Sequence, residues 1–147
     1  MSASQDPKPK SQAIRLRPIG HVERGERDEG LQGKELRARP ARIVLDPAVT
    51  DGLLGLEAGD DIVVLCYFHQ ADRDVLQVHP MGDMDSPLRG VFATRSPVRP
   101  NPIAVTSARI QRIEGNLLHV VGLDALDGTP VMDIKSHAEA FDMPYRA

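Results

Sequence analysis

The sequence predicts a mostly β protein, a small single-sheet β-barrel of about seven short strands with short helical segments. Three observations carry this expectation. Apolar residues come in short runs bounded by Gly, Pro, Asn and Asp, while helical periodicity is sparse across the 147 residues. Twelve glycines and twelve prolines punctuate the chain too often for long helices. The longest apolar run, Ile62 to Phe68, has the length of a strand and falls far short of the roughly 18 residues of a membrane span. A chain of this length fits one domain with a real core. Its 41% apolar and 27% charged residues are ordinary for a soluble globular protein.

Taken in order, residues 1–13 are polar, with prolines and lysines and no apolar stretch of a secretory signal, and are expected to form a disordered tail. Ile14, Leu16, Ile19 and Val22 suggest a first strand, interrupted near Pro18 and Gly20. Residues 23–35 are charged, contain three glycines, and read as a loop. Leu36 to Leu45 alternates well enough for a second strand, with Pro40 marking an edge. Asp46-Pro47 is a helix-start signal, and Val49, Leu53, Leu54 and Leu56 follow as a short helical turn. Ile62 to Phe68 is apolar at every position, which predicts a central strand covered on both faces. Val75 to Val78 forms another short strand, and residues 80–89 a second loop. Ile103 to Ile113 is strand-like, but its apolar phase flips near Thr106-Ser107, where a bulge is expected. Glu114-Gly115-Asn116 turns the chain into Leu117 to Leu123, and Pro130 to Ile134 is the last strand.

Charge and cysteine usage narrow the function. A net charge of −3 and a pI near 5.9 argue against strong non-specific nucleic-acid binding. The charge is uneven, however: residues 7–42 carry a local +5 and residues 43–147 a local −7. Such a run is most often a solvated face, with contact to a polyanion as the sharper reading. Five aromatic residues and no tryptophan leave little for a base-stacking platform. The single cysteine, Cys66, excludes an internal disulfide, and the five histidines show no ligand spacing, so no metal site is expected. Neither a membrane span nor a secretory signal is expected, and the cytoplasm is the default location.

The chemistry concentrates around Gly90 to Ile103. Pro97, Pro100 and Pro102 fix φ and remove backbone donors, so the loop is stiff and holds Arg95 and Arg99 in place. Three other loops carry polar groups after apolar strands: Arg27-Asp28-Glu29, His69-Gln70, and Asp124 to Thr129. In a closed barrel several of these could meet at one rim, as a small-ligand pocket requires. No nucleophile stands beside a base: Ser96 lacks a nucleophile-elbow context. On the residues alone, His69 is more often a hydrogen-bonded structural histidine than a ligand, and the reading stops at a small β domain with a rim pocket.

The run GVFATRSPVRPNPI at 90–103, followed by LDGTPVMDIK at 126–135, resembles the TrmO family of S-adenosylmethionine-dependent tRNA methyltransferases. FHQ at 68–70 and IG at 19–20 fit the same family in the same order, and the likeness covers about residues 14–137. The resemblance implies a small β-barrel methyltransferase domain over 14–147, working as a homodimer. It implies N6-methylation of the threonylcarbamoyl-modified adenosine beside the anticodon of tRNA, with S-adenosyl-L-methionine as the cofactor. Carried over residue by residue, cofactor contacts fall on Arg27, Asp28, Glu29, His69, Gln70, Arg95, Val105, Leu126, Asp127, Gly128 and Thr129. Arg95 would hold the donor's carboxylate, and backbone around Gly128 would read the adenine. Asp127, Asp133 and His137 are candidate bases for the N6 proton, with Lys135 orienting or binding phosphate. Ser136-His137 stands where the family has Pro-Tyr, which keeps a small-molecule acceptor open as an alternative. A non-catalytic module that only binds the cofactor is the other.

Overall fold

Alternation of apolar side chains decides where the strands form. The computed structural model describes residues 12–146, so the expected tail of residues 1–13 lies almost wholly outside the described residues. Among the described residues eight strands form: β1 (Gly20–Glu23), β2 (Pro40–Leu45), β3 (Asp61–Tyr67), β4 (Gln77–Val78), β5 (Arg89–Gly90), β6 (Ile103–Glu114), β7 (Leu117–Val121) and β8 (Pro130–Ser136). Six of them close an antiparallel barrel in the order β1-β2-β7-β6-β3-β8, while β4 and β5 pair separately. Closure pairs Gly20 with Val131 and leaves the barrel without an open edge. Two single-turn α-helices, α1 (Lys34–Arg37) and α2 (Glu139–Asp142), and short 3-10 helices at 26–28, 47–53, 80–82 and 91–93 complete the regular structure of the described residues. The expected barrel is therefore present, with six strands in its wall.

The inward face is apolar throughout. Val22, Ile43, Leu45, Ile62, Val64, Ile110, Leu118, Val120 and Val131 are buried, with Cys66 and Ala108 among them. β3 alternates buried and half-buried residues: Ile62, Val64 and Cys66 point inward, while Val63, Leu65 and Tyr67 face outward. Covering on both faces, expected from seven apolar residues in a row, is thus only partial. Gly20 is required by close approach, because a Cβ there would stand 2.3 Å from the Val44 carbonyl oxygen.

Several boundaries differ from expectation for local reasons. β1 starts at Gly20, and Ile14 and Leu16 are exposed. Residues 34–37 are helical, so β2 begins at Pro40, a position where the missing N–H costs least. The turn after Asp46 is a 3-10 helix over 47–53, capped by the Asp46 carboxylate accepting from the Ala48 amide at 3.0 Å. No bulge occurs at Thr106-Ser107: β6 pairs with β3 without interruption from Ile103 to Arg109. Its irregularity lies between Ile110 and Arg112, against β7. The apolar phase does not flip either, since Ile103 and Val105 point out of the barrel and are 39% and 47% exposed. A second irregularity, where β8 pairs with β3 between Leu65 and Cys66, sets Met132 and Asp133 between the inward-facing Val131 and Ile134.

Candidate functional site

Strand direction sorts the loops. With every neighbour antiparallel, the connections 24–39, 68–102 and 122–129 all leave one end of the barrel. Those at 46–60 and 115–116, and the chain after β8, leave the other. Arg27, Asp28, Glu29, His69, Gln70, Arg95 and Leu126 to Thr129 therefore share one rim, although they span a hundred residues of sequence. Topology brings them to one end, and side chains fix them there.

The first and third loops are joined by a buried guanidinium. Arg24 has lost nearly all solvent contact, and its Nε and Nη2 donate to the carbonyls of Ala125 and Leu123 at 2.6 and 2.7 Å. Its backbone N–H donates to Asp127 Oδ1 at 2.8 Å. The Gly128 amide donates to the Val22 carbonyl at 2.7 Å, and Gly128 has the positive φ of +83° that this turn needs. Asp28 is buried beneath these loops, 2.8 Å from Arg39 Nε and 3.7 Å from Arg24 Nη1. Its carboxylate faces two arginines within the protein, while Arg27 and Glu29 on either side are exposed. Burial pushes the Arg24 pKa below its usual value, against the opposing pull of Asp28 and Asp124. Thr129 is buried, with its hydroxyl donating to the Leu126 carbonyl at 2.7 Å.

The proline-rich loop is held from within by arginines. Arg99 Nη1 donates to the carbonyls of Ser96 and Thr94 at 2.9 and 3.3 Å. Arg73 reaches across to the Pro100 carbonyl at 2.6 Å and to Asn101 Oδ1 at 2.9 Å. Val91 and Pro102 are fully buried and pin the two ends of the segment. Arg95 differs: its guanidinium is exposed and makes only a 3.5 Å contact with the Val105 carbonyl. Of the three, it is the cation left free for an anionic ligand. His69 and Gln70, at the end of β3, are also exposed.

Of the four candidate catalytic side chains, Asp133 and Lys135 are on β8, with Asp127 before it and His137 after it. Asp127 is on the rim. Asp133 and Lys135 lie on the outer wall and pair with each other at 2.8 Å, while Asp133 Oδ1 accepts from the Ile134 amide. Asp133 shares a row with Leu65 and Val105 across three strands, so Val105 is two strand spacings, roughly 10 Å, away. His137 follows the far end of β8, roughly 20 Å along the strand from the rim. There it approaches Asp142 at 3.3 Å, and its amide bonds to the Asp61 carbonyl. The barrel thus separates His137 from Asp127.

A cleft of about 860 Å³ lies beside the rim, between residues 12–18 and the outward side chains of Tyr67, Ile103 and Met132. None of the expected site residues lines it. Its Arg73 is already committed to Pro100 and Asn101, which leaves Gln12 and Arg15 as polar side chains beside a mostly apolar wall. The rim holds the better recognition chemistry. Arg24 and Arg73, the two residues that organise the rim loops, were not legible as such. Each stands in a charged stretch beside other arginines or aspartates, and nothing in the sequence marks which one turns inward.

Fold and site together define a class: a six-stranded antiparallel barrel that gathers its polar side chains at one rim, unlike a doubly wound α/β sheet. Comparison with known proteins supplies the family. The model of the tRNA-methyltransferase O N-terminal domain (TrmO_N) matches residues 25–143, and the chain belongs to this family. A probable S-adenosyl-L-methionine-binding protein of Methanocaldococcus jannaschii is 43% identical over 133 residues, 88% of this chain and 96% of the relative. A probable S-adenosyl-L-methionine-binding protein of Pyrococcus horikoshii is 38% identical over 139 residues, 92% of this chain and 90% of the relative. Among solved structures, a TrmO crystal structure is similar with a TM-score of 0.68 at 32% identity, and TrmO from Pseudomonas aeruginosa with 0.66 at 30%. Both alignments cover 92% of this chain, which spans 62% and 60% of those longer chains.

Proposed function

We propose that this chain is an S-adenosyl-L-methionine-dependent methyltransferase that methylates N6 of threonylcarbamoyladenosine beside the anticodon of tRNA. The observation that carries the reading is the family match over 25–143, falling on a barrel whose three polar loops leave the same end. The side chains present suit the donor. Arg95 has a free guanidinium for its carboxylate. A Cβ at Gly128 would meet nothing within 4 Å, so the backbone there is open to the edge of an adenine. Val105 and Leu126, 47% and 58% exposed, offer apolar contact, and His69, Gln70, Arg27 and Glu29 add exposed polar groups on the same side. When bound, the donor supplies an electrophilic methyl group on its sulfonium.

The chain's own contribution is then alignment of the acceptor and acceptance of one proton. Asp127 is the favoured acceptor of the N6 proton. Arg24 takes one of its carboxylate oxygens through a backbone amide, and the side chain is exposed on the rim. Asp133 has both oxygens engaged, by Ile134 and Lys135. Arg27 and Lys34, exposed on the β1–β2 connection, place positive charge on the same end for the phosphates of tRNA. A tRNA acceptor puts the protein in the cytoplasm. We also propose a homodimer, supported by the outward apolar side chains of β3, β6 and β8, chief among them Tyr67, Ile103, Val105 and Met132. Light scattering on Ile103→Glu/Val105→Glu should give the monomer mass, and an unchanged dimer would move the interface elsewhere.

The test is transfer of a labelled methyl group from S-adenosyl-L-methionine to tRNA with and without the threonylcarbamoyl modification. Label on the modified tRNA alone is the expected result. The negative net charge and Ser136-His137 favour a second reading, a small-molecule acceptor. Label in a metabolite pool but not in tRNA would establish it. Donor binding with no transfer to either would leave a binding module.

A further inference from the structure

We propose that Arg24 is the positioning residue of the donor-binding rim, setting the backbone of residues 123–127 from beneath. The proposal rests on the reading of that rim as the donor site.

The β7–β8 connection has no strand or helix over 122–129, so its carbonyls must find donors outside regular structure. Arginines from the β1–β2 segment supply three of them. Arg37 Nε reaches the Gly122 carbonyl at 3.0 Å from an exposed position. Arg24 takes the carbonyls of Leu123 and Ala125 from a buried one, with its side chain only 2% exposed. Two donors in one rigid plane fix both the spacing and the tilt of those carbonyls, which a single flexible donor cannot do. The amide of the same residue holds Asp127, and Val22, two residues earlier, holds the Gly128 amide. Residues 123–128 are therefore fastened to one short stretch of β1 and its exit.

Arg24 Nη1 is buried and makes no hydrogen bond, standing 3.7 Å from Asp28 Oδ2. A buried guanidinium with one unused nitrogen is a poor way to gain stability, because its desolvation is only partly offset. An apolar side chain of similar length would fill the same volume. What such a side chain cannot do is hold two carbonyls at a set separation beneath the loop that carries Leu126, Asp127 and Gly128.

The test compares Arg24→Met, Arg24→Lys and Arg37→Met with the unaltered full-length protein. Affinity for S-adenosylhomocysteine is read by calorimetry, and protection of the amides of 126–129 by hydrogen exchange. For a folded Arg24→Met the expectation is a rise of tenfold or more in Kd and faster exchange confined to 122–129. Arg24→Lys should fall between that variant and the wild type, and Arg37→Met should stay within twofold. A folded Arg24→Met with wild-type affinity and unchanged exchange at 126–129 would overturn the role. If Arg24→Met fails to fold, Arg24→Lys decides by the same two readouts. Failure of both to fold would make Arg24 a folding residue and overturn positioning. Wild-type protein that binds neither donor nor product would instead overturn the reading of the rim, and this role with it.

Discussion

Replacing Arg95 by Met separates the free arginine of the proline-rich loop from its two neighbours. Met keeps much of the side-chain length and removes every donor. Arg95 makes one long contact, 3.5 Å to the Val105 carbonyl, so its loss should leave the fold intact. If its guanidinium holds the donor's carboxylate, a charge-assisted hydrogen bond disappears, worth about 1.5–3 kcal/mol. Solvent exposure places it at the lower end, about 1.5–2 kcal/mol, or roughly a 10- to 30-fold rise in Kd. Arg99→Met is the control. It leaves the carbonyls of Thr94 and Ser96 short of a donor and should cost about 1–2 kcal/mol of stability. Its effect on affinity should be smaller, because Arg73 still ties Pro100 and Asn101. Calorimetric titration with S-adenosylhomocysteine and a thermal melt of each variant give the four numbers. A folded Arg95→Met that binds within twofold of wild type would refute the assignment. An Arg99→Met that loses more affinity than Arg95→Met would show that the two roles had been exchanged.

Asp127→Asn keeps an oxygen for the Arg24 amide but removes the proton acceptor. At saturating donor it should lower the rate of methyl transfer by on the order of 10²–10⁴-fold, a far larger loss than any change in donor affinity read by calorimetry. Gly20→Ala would press a methyl group to 2.3 Å from the Val44 oxygen and 2.9 Å from the Leu45 Cα. A cost of about 3 kcal/mol, and a drop of roughly 10 °C in Tm, is expected in a melt. Burial pushes the Cys66 thiol up to about 12, so iodoacetamide should leave it unmodified at pH 8 until the barrel opens. Because the folded pKa is raised, the associated stability is complete below the unfolded value near 8.5 and is lost as pH climbs toward 12. Cys66→Ala should flatten that alkaline decline in urea melts. Asp61, held low by its hydrogen bond to Arg109, has the opposite sign: its stabilisation is present at neutral pH and is lost as acid titrates it. Asp61→Asn should flatten the acid limb.

Much of the fold was readable because period-two patterning is a local signal. Ile43 and Leu45 could be placed on one face from their spacing, and Asp46-Pro47 and Glu114-Gly115-Asn116 from turn and cap chemistry. The apparent phase flip in Ile103 to Ile113 was misleading for an instructive reason. Ile103 and Val105 are apolar yet point outward, so hydrophobicity there does not report the core. The same ambiguity made β3 look covered on both faces. His137 illustrates the limit for the site. Two residues after Lys135 in sequence, it lies at the opposite end of the barrel from Asp127, because a strand carries its residues along the wall rather than around the rim.

The sequence by itself determined the six strands of the barrel wall, the stiffness of the 97–102 loop and the family motif, since each depends on neighbours within a few residues. It also named the loops that carry the polar chemistry. Only the tertiary structure decided that 24–39, 68–102 and 122–129 leave the same end, which follows from strand order and antiparallel closure. It alone sorted the arginines, turning Arg24 inward onto the Leu123 and Ala125 carbonyls, locking Arg73 and Arg99 into the loop, and leaving Arg95 exposed. A guanidinium's role depends on which carbonyls lie within its reach, and those carbonyls come from residues a hundred positions away.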